Sequence, residues 1–279
     1  MLGAIIGDIV GSIYEHSNIK TKDFKFFSNK NYFTDDTVMT IAVADAIMNG
    51  GKFENYYDSM KKFGSAYIDR GYGRHFLKWI TSNNSKPYNS WGNGSAMRVS
   101  PCAYIVKLTD REEDIKIALK RVREVSKISA EVTHNHPDGI KGAQATAESI
   151  YYMRYAKSKN IVEDYKKVLK KYIEDKYGYD LNITIDDLRN TYEFDVSCQG
   201  TVPQAIIAFL ESINFEDAIR NAISIGGDSD TLAAITGSIA EAAYGISSDF
   251  ENTALSYLDD KLSDTYHKWN NYLKDHFLV

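Results

Sequence analysis

Cysteine is almost missing from this chain of 279 residues: Cys102 and Cys198 stand far apart, in neither a Cys-x-x-Cys nor a Cys/His ligand spacing. That argues against a disulfide framework or a thiolate metal site and leaves two small buried hydrophobes in a reducing compartment as the simpler reading. Basic runs are equally scarce. No stretch of consecutive Lys or Arg exceeds a pair, and the formal net charge is −5. A nucleic-acid grip would lack its electrostatic footprint, so DNA or RNA is not expected as a partner. Long apolar runs are missing as well, with nothing near the ~18 residues of a membrane span. The chain begins Met1-Leu2-Gly3-Ala4-Ile5-Ile6 and soon meets Asp8, which is not the pattern of a signal peptide. A cytoplasmic monomer with no membrane partner is the expectation. Repeats, low-complexity segments and Pro/Ser-rich linkers are absent too, so residues 1–279 read as one domain.

What is present is an ordinary globular composition, 43% hydrophobic and 25% charged, with apolar residues spaced by three and four and little strict alternation. The fold class is therefore all-α, a single multi-helix domain. Gly3 to Tyr14 reads as a first helix in which Gly3, Gly7 and Gly11 form a small stripe that lets another helix approach closely. Further helices are expected over Asp36 to Met48, Phe53 to Asp69, Asp138 to Tyr155, Ile161 to Tyr177, Phe215 to Ile225 and Thr231 to Tyr244. Thr109 with Glu112 reads as a capping box for a helix to about Ser126, and Thr201 with Gln204 as another, with Pro203 in the first turn of a helix through Ile213. Residues 178–200 read as a long loop with a short helix near Ile185 to Thr191. The tail, with Leu255, Leu258, Leu262, Trp269, Leu273 and Phe277, reads as a final or broken helix docked on the core.

Two acidic clusters sit where loops enter apolar helices: Thr34-Asp35-Asp36, and Asp228-Ser229-Asp230-Thr231 after Gly226-Gly227. Each alone is explained by N-capping, for which Asp, Ser and Thr are favoured. Together they offer more oxygen than two caps need, and oxygen-only ligands on tight turns suit a hard cation such as Mg²⁺. Asp8 and Glu15 lie seven apart, a spacing that puts both on one helical face toward the same site. Asp8 alone fits capping of a neighbouring element as well as it fits catalysis. The loop Ser90-Trp91-Gly92-Asn93-Gly94-Ser95-Ala96-Met97-Arg98 offers backbone N–H groups that could approach a phosphate and an aromatic face on which a base could stack. A turn around a half-buried Trp is the alternative. His134 and His136, two apart before a helix, lack a third His or Cys nearby, so hydrogen bonding at a polar pocket is favoured over zinc.

In order along the chain, Gly3 to Asp8 with Gly11 to Glu15, Phe33 to Thr37, Gly92 to Arg98, Thr133-His134, and Gly226 to Thr231 resemble the ADP-ribosylglycohydrolases. The resemblance implies an all-α fold with a binuclear magnesium cleft, in which Mn²⁺ can substitute, and release of ADP-ribose from an ADP-ribosylated protein or small molecule. It implies Thr34, Asp35, Asp36, Asp228, Asp230 and Thr231 as metal ligands and Glu15 as the carboxylate near the scissile bond. It further implies Ser90, Trp91, Gly92 and Asn93 at the diphosphate and adenosine end, with His134 lining the pocket. Glycoside cleavage builds positive charge at C1 of the ribose, which a nearby carboxylate stabilises while two metals hold the ribose hydroxyls. A module that binds ADP-ribose without turnover, and a two-metal phosphohydrolase, are the competing readings.

Overall fold

The glycine stripe of the first helix explains the centre of the molecule. In the computed structural model, which describes residues 1–277, helix α1 (Leu2–Gly11) is buried along its whole length. It lies against α12 (Ser229–Tyr244), which is buried everywhere but at Glu241 and Tyr244. A Cβ added to Gly3, Gly7 or Gly11 would run into the backbone of Gly237, Ala233 or Asp230 respectively. Only glycine allows this approach, and the approach brings Asp8 beside Asp230. Two helices that are apolar all round belong at the middle of a large helical core.

The other helices wrap this pair. Helix α2 (Asp35–Met48) packs beside α1, with α3 (Phe53–Ala66) and α14 (Asp260–His276) behind it; α4 (Arg74–Thr81) leans on α3. On the far side of α12 lie α7 (Pro137–Ser158), α10 (Cys198–Leu210) and α11 (Phe215–Ile225), with the one-turn α5 (Gly94–Met97) wedged between α7 and α12. Helices α6 (Glu112–Glu131) and α8 (Val162–Tyr177) cover α7, α9 (Ile185–Thr191) sits on α11, and α13 (Ser248–Leu255) touches α1. Among the described residues there is no strand, only an isolated antiparallel bridge between Gly92 and Ser197. No described helix is long and apolar enough to cross a membrane. The all-α expectation holds.

Several helix ends differ from those the sequence suggests. The Thr109–Glu112 box does not form: Arg111 occupies the N-cap of α6 without a side-chain hydrogen bond, Thr109 bonds to Asp114, and the helix continues to Glu131. The Thr201–Gln204 box also fails, because Ser197 caps α10 through Gly200 N–H, so the helix begins four residues earlier than expected and ends at Leu210 instead of Ile213. Pro203 then lies in the helix interior and removes one backbone hydrogen bond. Helix α1 stops at Gly11 and α3 at Ala66. The tail is broken, as α13 and α14 separated at residues 256–259. Helix α4 and the short turns at Gly94–Met97 and Ser100–Ala103 were not anticipated.

Candidate active site and metal centre

The N-termini of two helices meet beside α1. Thr34 is the N-cap of α2, its Oγ1 accepting from Asp36 N–H. Asp228 is the N-cap of α12, reached through Gly226 and Gly227, which both adopt left-handed φ of 77° and 73°. Asp8 comes from the middle of α1, and its carboxylate accepts from Thr34 N–H at 2.9 Å, Thr37 N–H at 3.0 Å and Thr34 Oγ1 at 2.6 Å. Asp8 thus caps α2, where the helix dipole favours an anion, and stands in the acidic cluster at the same time.

Two carboxylate triads result, Asp8 with Asp36 and Asp230, and Glu15 with Asp228 and Asp230, each offering oxygens within 4.8 Å of one another. Asp230 belongs to both. Asp35 lines the same cavity but stands outside the triads, while Thr34 and Thr231 direct their hydroxyls at Asp8 and Asp36. The seven-residue spacing from Glu15 pointed Asp8 toward this site, but the sequence left it open between capping and catalysis and did not count it among the metal ligands; here it both caps α2 and joins a triad. Glu15 arrives differently from the expected helical face, because α1 ends at Gly11 and residues 12–17 turn back toward the cluster.

The electrostatics are unfavourable without a cation. Burial, reinforced by mutual repulsion, pushes the carboxyls of Asp36 and Asp230 well above the usual carboxylate range, and Asp35 likewise. Burial also raises Glu15, with the Asp228 charge adding to it, and raises Asp8 and Asp228 despite their hydrogen bonds. Asp36 Oδ1 is buried with no hydrogen-bond partner. An all-oxygen donor set, a shared central carboxylate and an orphaned oxygen together fit a hard divalent cation. Protonation is the other way to relieve such crowding.

This cluster forms the floor of a cavity of about 420 Å³. Ser90, Gly92, Asn93 and His134 line the opposite wall together with Val196, as expected for the first four. Ser90 Oγ accepts from Gly92 N–H, and Gly94 passes so close to His134 that a side chain there would press on the ring. Asn93 turns its amide to Asp228 at 2.7 Å and Thr201 at 3.1 Å, so it ties the wall to the floor. His134 is buried, and burial beside Arg98 holds its pKa well below the usual value. Its Nδ1 pairs with Thr133 Oγ1 at 2.7 Å, and Thr133 also accepts from Arg98 at 2.8 Å. The neutral ring can therefore offer Nε2–H to the cavity. His136 instead caps α7 by accepting from Asp138 N–H. Trp91, between the lining residues Ser90 and Gly92, is 49% exposed and lies outside the cavity lining.

The sequence profile of the ADP-ribosylglycohydrolase family matches residues 1–273. ADP-ribosylhydrolase ARH3 of Homo sapiens is 26% identical over 322 residues, spanning 88% of this chain and 84% of that protein. ADP-ribosylarginine hydrolase Tri1 of Pseudomonas putida is 25% identical over 277 residues, spanning 88% and 70%. Among solved structures, an ADP-ribosylglycohydrolase-related protein complex shares the fold with a TM-score of 0.64 at 19% identity, covering 95% of this chain and 94% of that one. A match over nearly the full length, on a helical frame whose helix termini gather the expected acids, means that this chain belongs to the ADP-ribosylglycohydrolase family and is a glycohydrolase enzyme.

Proposed function

We propose that this enzyme uses two Mg²⁺ ions, replaceable by Mn²⁺, to hydrolyse the glycosidic bond between ADP-ribose and an acceptor, releasing ADP-ribose. The observation that carries the reading is the pair of carboxylate triads joined at Asp230 on the floor of the cavity. Asp8, Asp36 and Asp230 would hold one cation, and Asp228, Asp230 and Glu15 face the other, with Thr34, Asp35 and Thr231 completing the oxygen set. The bound cations supply positive charge that offsets the crowded carboxylates and polarises the ribose hydroxyls and the attacking water.

The rest of the work falls to side chains. Glu15 is the least buried of the triad acids, at the border between floor and cavity. It stabilises the positive charge that develops at C1 or takes the proton of the attacking water. Ser90 to Asn93 offer the backbone to the diphosphate, Trp91 offers its ring to the adenine, and His134 donates Nε2–H into the cavity.

Product analysis tests this. Purified protein with Mg²⁺ is offered a panel of defined ADP-ribosyl conjugates, beginning with ADP-ribosylarginine, which the name of the Tri1 relative suggests. Release of intact ADP-ribose is expected from at least one of them. AMP as product would make the protein a phosphohydrolase, and unchanged conjugate with tight binding of ADP-ribose would make it a reader.

A further inference from the structure

One surface side chain joins the two halves of the acidic centre. The amide nitrogen of Asn18 donates to Tyr14 O at 2.7 Å, Glu15 O at 3.0 Å and Gly227 O at 2.8 Å, and its oxygen accepts from Gly227 N–H at 2.8 Å. Three carbonyls on one side and one N–H on the other fix the orientation of the amide. The two-way pair with Gly227 imitates one rung of a sheet, and Gly227 is the residue before Asp228. Two residues further on, Lys20 donates to Ile225 O at 2.5 Å and to Tyr192 O at 3.0 Å, so the same loop also holds the start of the glycine turn.

We propose that Asn18 is a positioning residue, which sets the distance between the Glu15 turn and the Asp228 turn and through it the geometry of the Glu15–Asp228–Asp230 triad. The inference rests on the reading of that triad as a cation site. Its physical basis is that Glu15 lies beyond the end of α1, in a turn that no helix holds, while Asp228 sits on a Gly-Gly turn with left-handed φ at both residues. Two soft segments therefore carry facing carboxylates that repel one another. The Asn18 clasp links them directly with short hydrogen bonds, beside a longer one from Ser229 Oγ to Tyr14 O at 3.5 Å. Asn18 is itself exposed and Tyr14 and Glu15 are half-buried, so its removal opens their two carbonyls to water, while the buried Gly227 keeps the Ser229 hydroxyl on its carbonyl and loses the partner of its N–H. The fold survives the loss, whereas the spacing of the acids does not.

The test compares wild type, Asn18→Ala, Asn18→Asp and Lys166→Met, the last cutting a distant buried contact to Ser212 O. Mg²⁺ and Mn²⁺ titrations followed by thermal shift give the apparent cation affinity without reference to turnover. Steady-state hydrolysis of an ADP-ribosyl conjugate gives kcat and KM. Both Asn18 variants should weaken the cation about tenfold, a size usual for groups that orient metal ligands, and lower kcat with KM within about twofold. Asn18→Asp should fail to rescue, because it keeps only the bond from Gly227 N–H. Lys166→Met should lower the Tm and leave cation affinity unchanged. Cation affinity and kcat in Asn18→Ala equal to those of wild type, or reduced only as far as in Lys166→Met, would overturn the proposal, as would a wild type with no cation-dependent shift. If wild type binds cation but releases ADP-ribose from no conjugate, the glycohydrolase reading fails while the titrations still decide the role of Asn18.

Discussion

The floor and the wall of the cavity are built by different physics. The floor is a junction of helix termini, where the glycine stripe of α1 sets α1 against α12 and Asp8 caps α2. Asp8, Asp36, Asp228 and Asp230 are buried, and the approach of Asp8 to Asp230 follows from packing that tolerates no extra methyl group. The wall is largely loop, with Val196 at 50% exposure and its chain neighbourhood open to solvent at Phe194, 52% exposed, and Trp91, 49% exposed, both outside the lining. It is held by the Gly92–Ser197 bridge, whose two backbone hydrogen bonds run from Asn93 N–H to Val196 O and from Cys198 N–H to Trp91 O. Packed helices fix Asp8, Asp36 and Asp230, two turns bring Glu15 and Asp228 to them, and an adaptable rim is left to recognise the ligand. Changes to the floor should therefore appear in kcat, cation binding or stability, and changes to the wall in substrate affinity.

The largest effect is expected from Glu15→Gln, which keeps the volume and removes the charge. Turnover should fall by about 10²–10⁴ with little change in ADP-ribose affinity, measured by conjugate hydrolysis beside calorimetry and metal analysis. Near wild-type turnover with cations bound would move the catalytic carboxylate elsewhere, to Asp35 first. Gly7→Ala attacks the floor through packing alone. Its methyl would land on the Ala233 backbone, and a loss of about 1–3 kcal/mol in urea unfolding is expected for such overpacking; an unchanged midpoint would mean that α1 and α12 can part without cost.

At the wall, Trp91→Ala should weaken ADP-ribose by about 1–3 kcal/mol if the ring stacks on the base, and leave ribose 5-phosphate untouched. Equal losses for both ligands would make Trp91 a support for the loop. The smallest effect concerns pH. The folded-state pKa values of Asp36 and Asp230 are raised above their unfolded values by burial and repulsion. Their stabilising contribution is thus complete below the unfolded pKa of about 3.9 and fades as pH climbs through the folded pKa. In EDTA the cluster should cost stability toward alkaline pH, while saturating Mg²⁺ removes that cost. The gap in Tm between the two conditions should widen from pH 5.5 to pH 8, and a gap that stays constant would show the acids to be relieved by something other than the cation.

The same contrast explains what could be seen in the sequence. The Gly3/Gly7/Gly11 stripe and the Thr34 cap were legible because close helix packing and capping leave local signatures. Asp8 was ambiguous because its partners are the N–H groups of Thr34 and Thr37, more than 25 residues away and invisible to any local pattern. The boxes at Thr109 and Thr201 misled because the same residue spacing recurs outside a helix and within one, and only tertiary contacts choose the true start; Thr201 is drawn instead to Asn93 and Asp195. The Glu15 turn and the 192–197 segment follow no period, so their arrival at the site depends on long-range hydrogen bonds such as those of Asn18 and Lys20.

The central claim is that the two triads sharing Asp230 hold the cations on which hydrolysis depends. The direct measurement is release of ADP-ribose from a conjugate by EDTA-stripped protein, with one divalent cation restored at a time. Activity should be absent after stripping, return with Mg²⁺ or Mn²⁺ and return poorly with Zn²⁺, because every donor is an oxygen. Full release of ADP-ribose by the stripped protein would contradict the account.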